Sequence, residues 1–197
     1  MSGVSTSVEE GAAVHSLLLK DGDDQDFIIT RHSQFCIPIN VLNWYGEQET
    51  HNSKEYIENK WLSILKEIKR IERLEEGLII AGDLNKHVGN IVPENKTKVS
   101  TGGKLLRDFL ENDNYVLLNA SKKAKGGPFT RYNPVYPSDE EAKSCLDLVI
   151  VSKNIEKYVK SMKMDKDRLF TLFRVVKNEL KYTDHYSVLV EMEIPQR

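Results

Sequence analysis

The sequence predicts an α/β protein (in the wider sense that includes α+β) in which two sheets pack face to face with helices outside. Three observations predict it. The first quarter of the chain is a succession of short β-prone runs separated by turn-rich stretches. Near residue 53 the apolar spacing changes to steps of three and four. Beyond residue 74, short apolar runs alternate with shorter helical ones. The 197 residues suffice for one domain with a real core and are few for two. No repeat or linker divides them, so a single domain over 1–197 is expected.

Residues 3–8, 15–19, 26–31 and 36–45 are the early β-prone runs. In the last of these Ile37, Ile39, Val41 and Asn43 fall on one face, and Gly46 follows Tyr45 as a stop. From 53 to 74, Ile57, Trp61, Ile64, Leu65, Ile68 and Ile71 form an apolar stripe with Lys and Glu between them, the pattern of a helix lying on a sheet. Leu78-Ile79-Ile80-Ala81 reads as a short strand buried on both faces. Residues 88–101 read as polar loop. Gly102-Gly103 leads into a short helix, 104–111, and then a strand, 115–119. Residues 121–143 read as a long loop, a length that is usually functional or disordered. A buried strand at 145–151, a weak helix at 154–158 and a closing strand at 186–194 complete the chain.

Composition narrows the function. Lys and Arg total 28 against 30 Asp and Glu, a net charge of −2, which disfavours a protein that merely coats nucleic acid. Cys36 and Cys145 are the only cysteines, too few for a disulfide framework or a zinc cluster. No apolar run approaches transmembrane length, and residues 1–6 lack signal-peptide features. A nuclear or cytoplasmic protein that is neither secreted nor membrane-bound is expected.

Polar residues then stand out against this apolar frame. Asp83, Asn85 and His87 follow the strand 78–81 at alternating positions, at the strand end where α/β sheets collect their chemistry. A carboxylate beside a neutral amide suits a hard divalent cation and a phosphate oxygen. Asp147 interrupts the apolar run Cys145–Val151, where an aspartate is costly to bury unless it is paired or orients a base. Asp184-His185 joins carboxylate and imidazole at the start of the last strand.

In this order, Gly82-Asp83-Leu84-Asn85, Ser144-x-x-Asp147 and Thr183-Asp184-His185 resemble the endonuclease/exonuclease/phosphatase superfamily. Within it the chain looks most like the endonuclease domains of non-LTR retrotransposons, which are similar to abasic-site endonucleases. Asn43-Trp44-Tyr45 stands where that family has its Asn-x-Tyr strand end, and His87 and Phe129-Thr130 are typical of the retrotransposon branch. The resemblance runs from residue 3 to 194.

The resemblance implies a four-layer α/β/β/α sandwich of two mixed, mostly antiparallel sheets. It implies that His185 acts as base or transition-state stabiliser for water attacking a phosphodiester, with Asp147 orienting the imidazole. It implies that Asp83 positions the water, Asn85 holds a phosphate oxygen, and Tyr45 meets the scissile phosphate. Asp184 would help bind Mg²⁺ or Mn²⁺, while Asn43, His87, Thr130 and Arg131 would touch substrate DNA. It further implies a parent protein with a reverse transcriptase domain. The family opens with a strand, a helix and a strand ending in a metal-binding glutamate, whereas residues 3–8 look like the strand after it. The expectation is therefore a domain lacking its first strands and one ligand carboxylate, and losing a ligand weakens a metal site by about tenfold or more.

Three functions follow: a divalent-metal DNA endonuclease that nicks its target; an inactive degenerate relative that binds nucleic acid or protein; and a phosphatase or phosphoinositide hydrolase. The last ranks behind because no extended basic, membrane-facing surface is evident.

Overall fold

A computed structural model describes residues 16–21, 27–92, 99–127, 129–132, 143–167, 173–176 and 179–197. Strands β1 (Ser16–Asp21), β2 (Phe27–His32) and β3 (Ile39–Trp44) form an antiparallel meander. Helix α1 (Lys54–Glu72) then crosses over to β4 (Gly77–Asp83), which lies parallel to β3. Helix α2 (Thr101–Glu111) leads to β5 (Tyr115–Leu117), and β9 (Asp147–Ser152) inserts antiparallel between β4 and β5. The resulting mixed six-stranded sheet has the order β1-β2-β3-β4-β9-β5. A second, three-stranded sheet is ordered β13-β10-β6, from β6 (Ala124–Lys125), β10 (Val159–Met164) and β13 (Val188–Met192). Two small pairs complete the strands: β7 (Arg131–Tyr132) with β8 (Lys143–Ser144), and β11 (Phe173–Val176) with β12 (Glu179–Tyr182). The short helix α3 (Lys153–Glu156) follows β9.

Alternation along each strand decides the layers. Leu42 and Trp44, Leu78 and Ile80, Leu148 and Ile150 meet α1 and α2 on one face. Ile39, Val149 and Val151 meet Val159, Met162 and Met164 of the second sheet on the other. Helices, first sheet and second sheet therefore stack as α/β/β among the described residues. Ser53 caps α1 by accepting from the Tyr56 N–H at 3.2 Å, and Lys69 and Arg70 sit in its last turn, where cations suit the dipole. Ile64 and Ile68 are 2% and 1% exposed, each burial contributing about 1.5–3 kcal/mol. Trp61 links the layers, 5.7 Å from the Trp44 ring on β3 and 5.6 Å, edge-on, from Phe109 on α2.

The structure differs from expectation in definable ways. The run at 3–8 lies outside the described residues. Helix α2 begins at Thr101 rather than beyond the glycine pair, because acceptors are ready for its first turn. The Glu49 carboxylate takes the Thr101 and Gly102 N–H groups, both at 2.7 Å, and Ser100 Oγ takes that of Gly103 at 3.1 Å. Gly103 is a contact residue rather than a helix breaker, since a Cβ there would collide with the His87 carbonyl. The strand expected at 115–119 ends at Leu117 in a 3₁₀ turn, Leu118–Ala120. The expected loop 121–143 contains β6 and β7 and runs into β8. Strand β10, the centre of the second sheet, has no counterpart in the sequence reading. Its Val-Lys-Ser-Met-Lys-Met run has one β-branched residue and a register shift between Val159 and Ser161, so both propensity and alternation are weak.

Candidate active site

The site forms where the inner face of the first sheet runs out. Strand β4 ends in Gly82, whose φ of 140° lies in a region side chains avoid and where a Cβ would strike the Trp44 carbonyl. This contact draws β4 against β3 just before Asp83. Register then sets Asp83 directly opposite Asp147, the first residue of β9, and Ala81 opposite Asn43. Asp83, Asp147 and Asn43 accordingly share the inner face at one edge of the sandwich.

Asp147 is held by its neighbours on both sides. The fully buried Thr130 hydroxyl accepts from the Leu146 and Asp147 N–H groups, both at 3.0 Å. Buried Asn119, in the 3₁₀ turn that follows β5, donates to the Asp147 carbonyl at 3.0 Å and accepts from the Val149 N–H at 2.8 Å. The same β7 segment delivers the histidine. Arg131 forms an antiparallel bridge with His185, Tyr132 donates to the Asp184 carbonyl at 2.9 Å, and Tyr186 donates to the Thr130 carbonyl at 2.7 Å.

His185 Nδ1 lies 2.8 Å from Asp147 Oδ2, a hydrogen bond of charge-assisted length. Its other ring nitrogen, Nε2, is 3.8 Å from Asp83 Oδ2 and 4.0 Å from Asp184 Oδ1. The side chains of Asp83, Asp147 and His185 are 16%, 19% and 23% exposed, so the cluster is sheltered but open on one side. Burial first, and the Asp147 charge second, push the Asp83 carboxyl up to about 6 against the pull of His185, the Asn85 N–H and Arg131. Burial opposes charge on His185, but the bond to Asp147 and the carboxylates of Asp83 and Asp184 outweigh it, leaving the imidazole above its usual value. A carboxyl group raised toward neutrality, close to an oriented imidazole, suits proton transfer at neutral pH.

The other expected site residues fall into distinct places. Asn85 sits at the strand end with a positive φ of 50°, its N–H on Asp83 Oδ1 at 3.2 Å and its side-chain amide donating to the Gly46 carbonyl at 2.8 Å. Tyr45 directly follows β3, half-buried, and alternation puts it on the same side as Asn43. Asp184 is paired: Arg131 Nε donates to its Oδ2 at 2.7 Å, while its Oδ1 lies 4.0 Å from His185 Nε2. That bond, together with His185, holds the Asp184 carboxyl below its ordinary value despite burial. Thr130 is a support for Asp147, its buried hydroxyl turned into the protein. His87 packs its backbone against the start of α2, donating to Ser100 Oγ at 3.2 Å and accepting from the Ser100 N–H at 3.0 Å.

Sequence reasoning passed over the buried pair behind the site. Lys86 and Glu47, with side chains 2% and 7% exposed, form an ion pair at 3.6 Å, and Lys86 Nζ donates to the Glu47 carbonyl at 3.0 Å. A lysine after a turn reads as solvated, so no sequence signal marks it. Asn119 was signalled, weakly, by an amide closing the apolar run Val116-Leu117-Leu118.

The residues present fit a hard divalent cation. Asp83, Asp147 and His185 each offer an atom within 4.8 Å of the others. A hard cation prefers oxygen, so the fitting donors are the carboxylate oxygens of Asp83 and Asp147. Asn43 adds a buried amide oxygen that has no hydrogen-bond partner among the described residues. Two opposed carboxylates, one of them resisting ionisation, are stabilised by a cation between them.

No protein-family model matches the sequence, and no curated protein does so either. Solved structures match it in fold. A 3′-5′ exonuclease from Neisseria meningitidis is 18% identical with a TM-score of 0.62, over 92% of this chain and 71% of that one. An AP endonuclease from Archaeoglobus fulgidus is 17% identical with a TM-score of 0.61, over 95% and 73%. The endonuclease domain of TRAS1, a telomere-specific non-LTR retrotransposon, is 16% identical with a TM-score of 0.57, over 85% and 64%. What these structures share with the chain is the fold, which is that of the endonuclease/exonuclease/phosphatase nucleases.

Proposed function

We propose that the protein is a divalent-metal-dependent phosphodiesterase that nicks DNA, a catalytic unit of retrotransposon origin that works within a longer protein carrying a reverse transcriptase. The observation that carries this reading is the 2.8 Å bond between His185 Nδ1 and Asp147, which leaves Nε2 facing Asp83 at 3.8 Å. Asp147 fixes the tautomer in which Nδ1 carries the proton, so Nε2 presents a lone pair to the open side. A water hydrogen-bonded to the Asp83 carboxylate would give a proton to that lone pair as its oxygen bonds to phosphorus; the P–O bond to the departing sugar oxygen breaks, and that oxygen takes up a proton from the imidazolium or from solvent. Asn85, braced on the Gly46 carbonyl, and Tyr45 line the approach to the phosphodiester, and Arg131 supplies positive charge at the mouth. Asp83 and Asp147, with Asn43 beside them, would hold Mg²⁺ or Mn²⁺. Bound there, the ion supplies neutralisation of the charge that develops on the phosphoryl oxygens.

The test is supercoiled plasmid incubated with the purified chain in Mg²⁺ or in EDTA, beside His185→Ala. Relaxation that requires both the metal and His185 is expected. No relaxation by protein that melts cooperatively would favour the second reading, a binding module without chemistry. That reading draws on the Arg131–Asp184 pair, in which a guanidinium already occupies one oxygen of that carboxylate.

A further inference from the structure

The Arg131–Asp184 pair is placed oddly for a structural ion pair. It sits at the open edge of the acidic cluster, with side chains 44% and 31% exposed, and Asp184 Oδ1 is 4.0 Å from His185 Nε2. An ion pair this open to solvent is weakly held. Yet the backbone of both residues is firmly tied: Arg131 bridges to His185 and pairs with Ser144, and the Asp184 carbonyl accepts from Tyr132. Only side-chain rotation is therefore needed to part them. A guanidinium binds phosphate through two parallel N–H bonds, a better match than the single Nε bond it makes to Asp184.

Resting on the function proposed above, we infer that Arg131 is a switch residue: it pairs with Asp184 in the absence of nucleic acid and transfers to a substrate phosphate when DNA arrives, releasing the Asp184 carboxylate to the divalent cation. The ion is then held by Asp83 and Asp147, with Asn43, in the free protein and gains a further carboxylate in the complex. Metal and DNA each tighten the binding of the other, by the same factor, because one side chain cannot satisfy Asp184 and phosphate together.

Mn²⁺ binding, followed by the electron paramagnetic resonance signal of the free ion, tests this without reference to turnover. Arg131→Ala is expected to bind Mn²⁺ about threefold to tenfold more tightly than the unmodified chain in the absence of DNA. In an Asp184→Asn background the same substitution is expected to gain little, because the carboxylate it frees is gone. A short phosphorothioate duplex is expected to tighten Mn²⁺ binding in the unmodified chain and to do so much less in Arg131→Ala. An equal gain from Arg131→Ala in both backgrounds overturns the switch, since removal of a positive charge then explains everything. Mn²⁺ and duplex binding that proceed independently overturn it too, while leaving the phosphodiesterase reading intact. Binding of neither ligand by the folded, unmodified chain sinks both.

Discussion

Asp83 stands between two demands. The proposed chemistry needs it ionised, while burial and the facing Asp147 resist ionisation and push it up to about 6. A carboxyl raised in the fold takes up protons that the unfolded chain does not, so its charge costs stability above pH 6, and the cost vanishes below pH 4. Asp83→Asn is expected to raise the unfolding free energy by about 1–3 kcal/mol at pH 8 and to leave it unchanged below pH 4, while abolishing nicking. Thermal melts in EDTA at the two pH values check this, and a variant less stable at pH 8 would sink it. Asp147→Asn is expected to keep the fold and lower kcat by about 10²- to 10⁴-fold, because the amide no longer selects the tautomer with a free Nε2. Single-turnover kinetics would show it. Asp83, Asp147 and His185 were legible because each breaks or bounds an apolar run at a position where burial demands a partner. The grip of Arg131 on Asp184 was not, since its partners are 53 residues apart and nothing local records their meeting.

Between elements, the β3–β4 strand ends are clasped by a short ladder. Gly46 donates to the Asp83 carbonyl at 2.7 Å, Asn85 donates to the Gly46 carbonyl, and Lys86 donates to the Glu47 carbonyl behind them. Burial pulls the Lys86 ammonium below its usual value, against the Glu47 and Glu49 carboxylates that hold it charged. Lys86→Met is expected to cost about 3–5 kcal/mol by stranding Glu47, and Glu47→Gln added to it to recover part of that loss; urea melts of the single and double variants decide. Thr130→Val removes the acceptor for two backbone N–H groups and is expected to cost about 1–3 kcal/mol while slowing catalysis through Asp147. A variant with normal kcat would show that Thr130 supports only the fold. Helix α1 was legible because a stripe from Ile57 to Ile71 repeats at one period. Helix α2 was misjudged at its start because the acceptors for its first turn come from Glu49, some fifty residues away, and its two glycines owe their place to contacts with Lys86 and His87 rather than to flexibility.

For the molecule as a whole, two faces of one sheet have separate duties. The helix side carries the Trp44–Trp61–Phe109 chain and much of the apolar burial, while the inner side holds the second sheet and, at its edge, the Asp83–Asp147–His185 cluster. Two-sheet packing was legible from the succession of β runs followed by a helical stripe, but β10 was hidden because methionines buried between sheets carry no strand signature. Mg²⁺ or Mn²⁺ at about a hundred times its dissociation constant is expected to stabilise the whole fold by about 2.7 kcal/mol, reversibly with EDTA. Asp83→Asn is expected to lose that increment, and calorimetric scans with and without the ion read it. The register of β4 against β9 has one more consequence. Side chains on a strand change faces with every residue, so a slip by one would turn Asp83 and Asp147 away from each other and bury a carboxylate among the tryptophans of the helix side. No misaligned sheet can assemble the pair, and on the function proposed above the fraction of molecules able to cut DNA would count the fraction whose central strands have been threaded correctly.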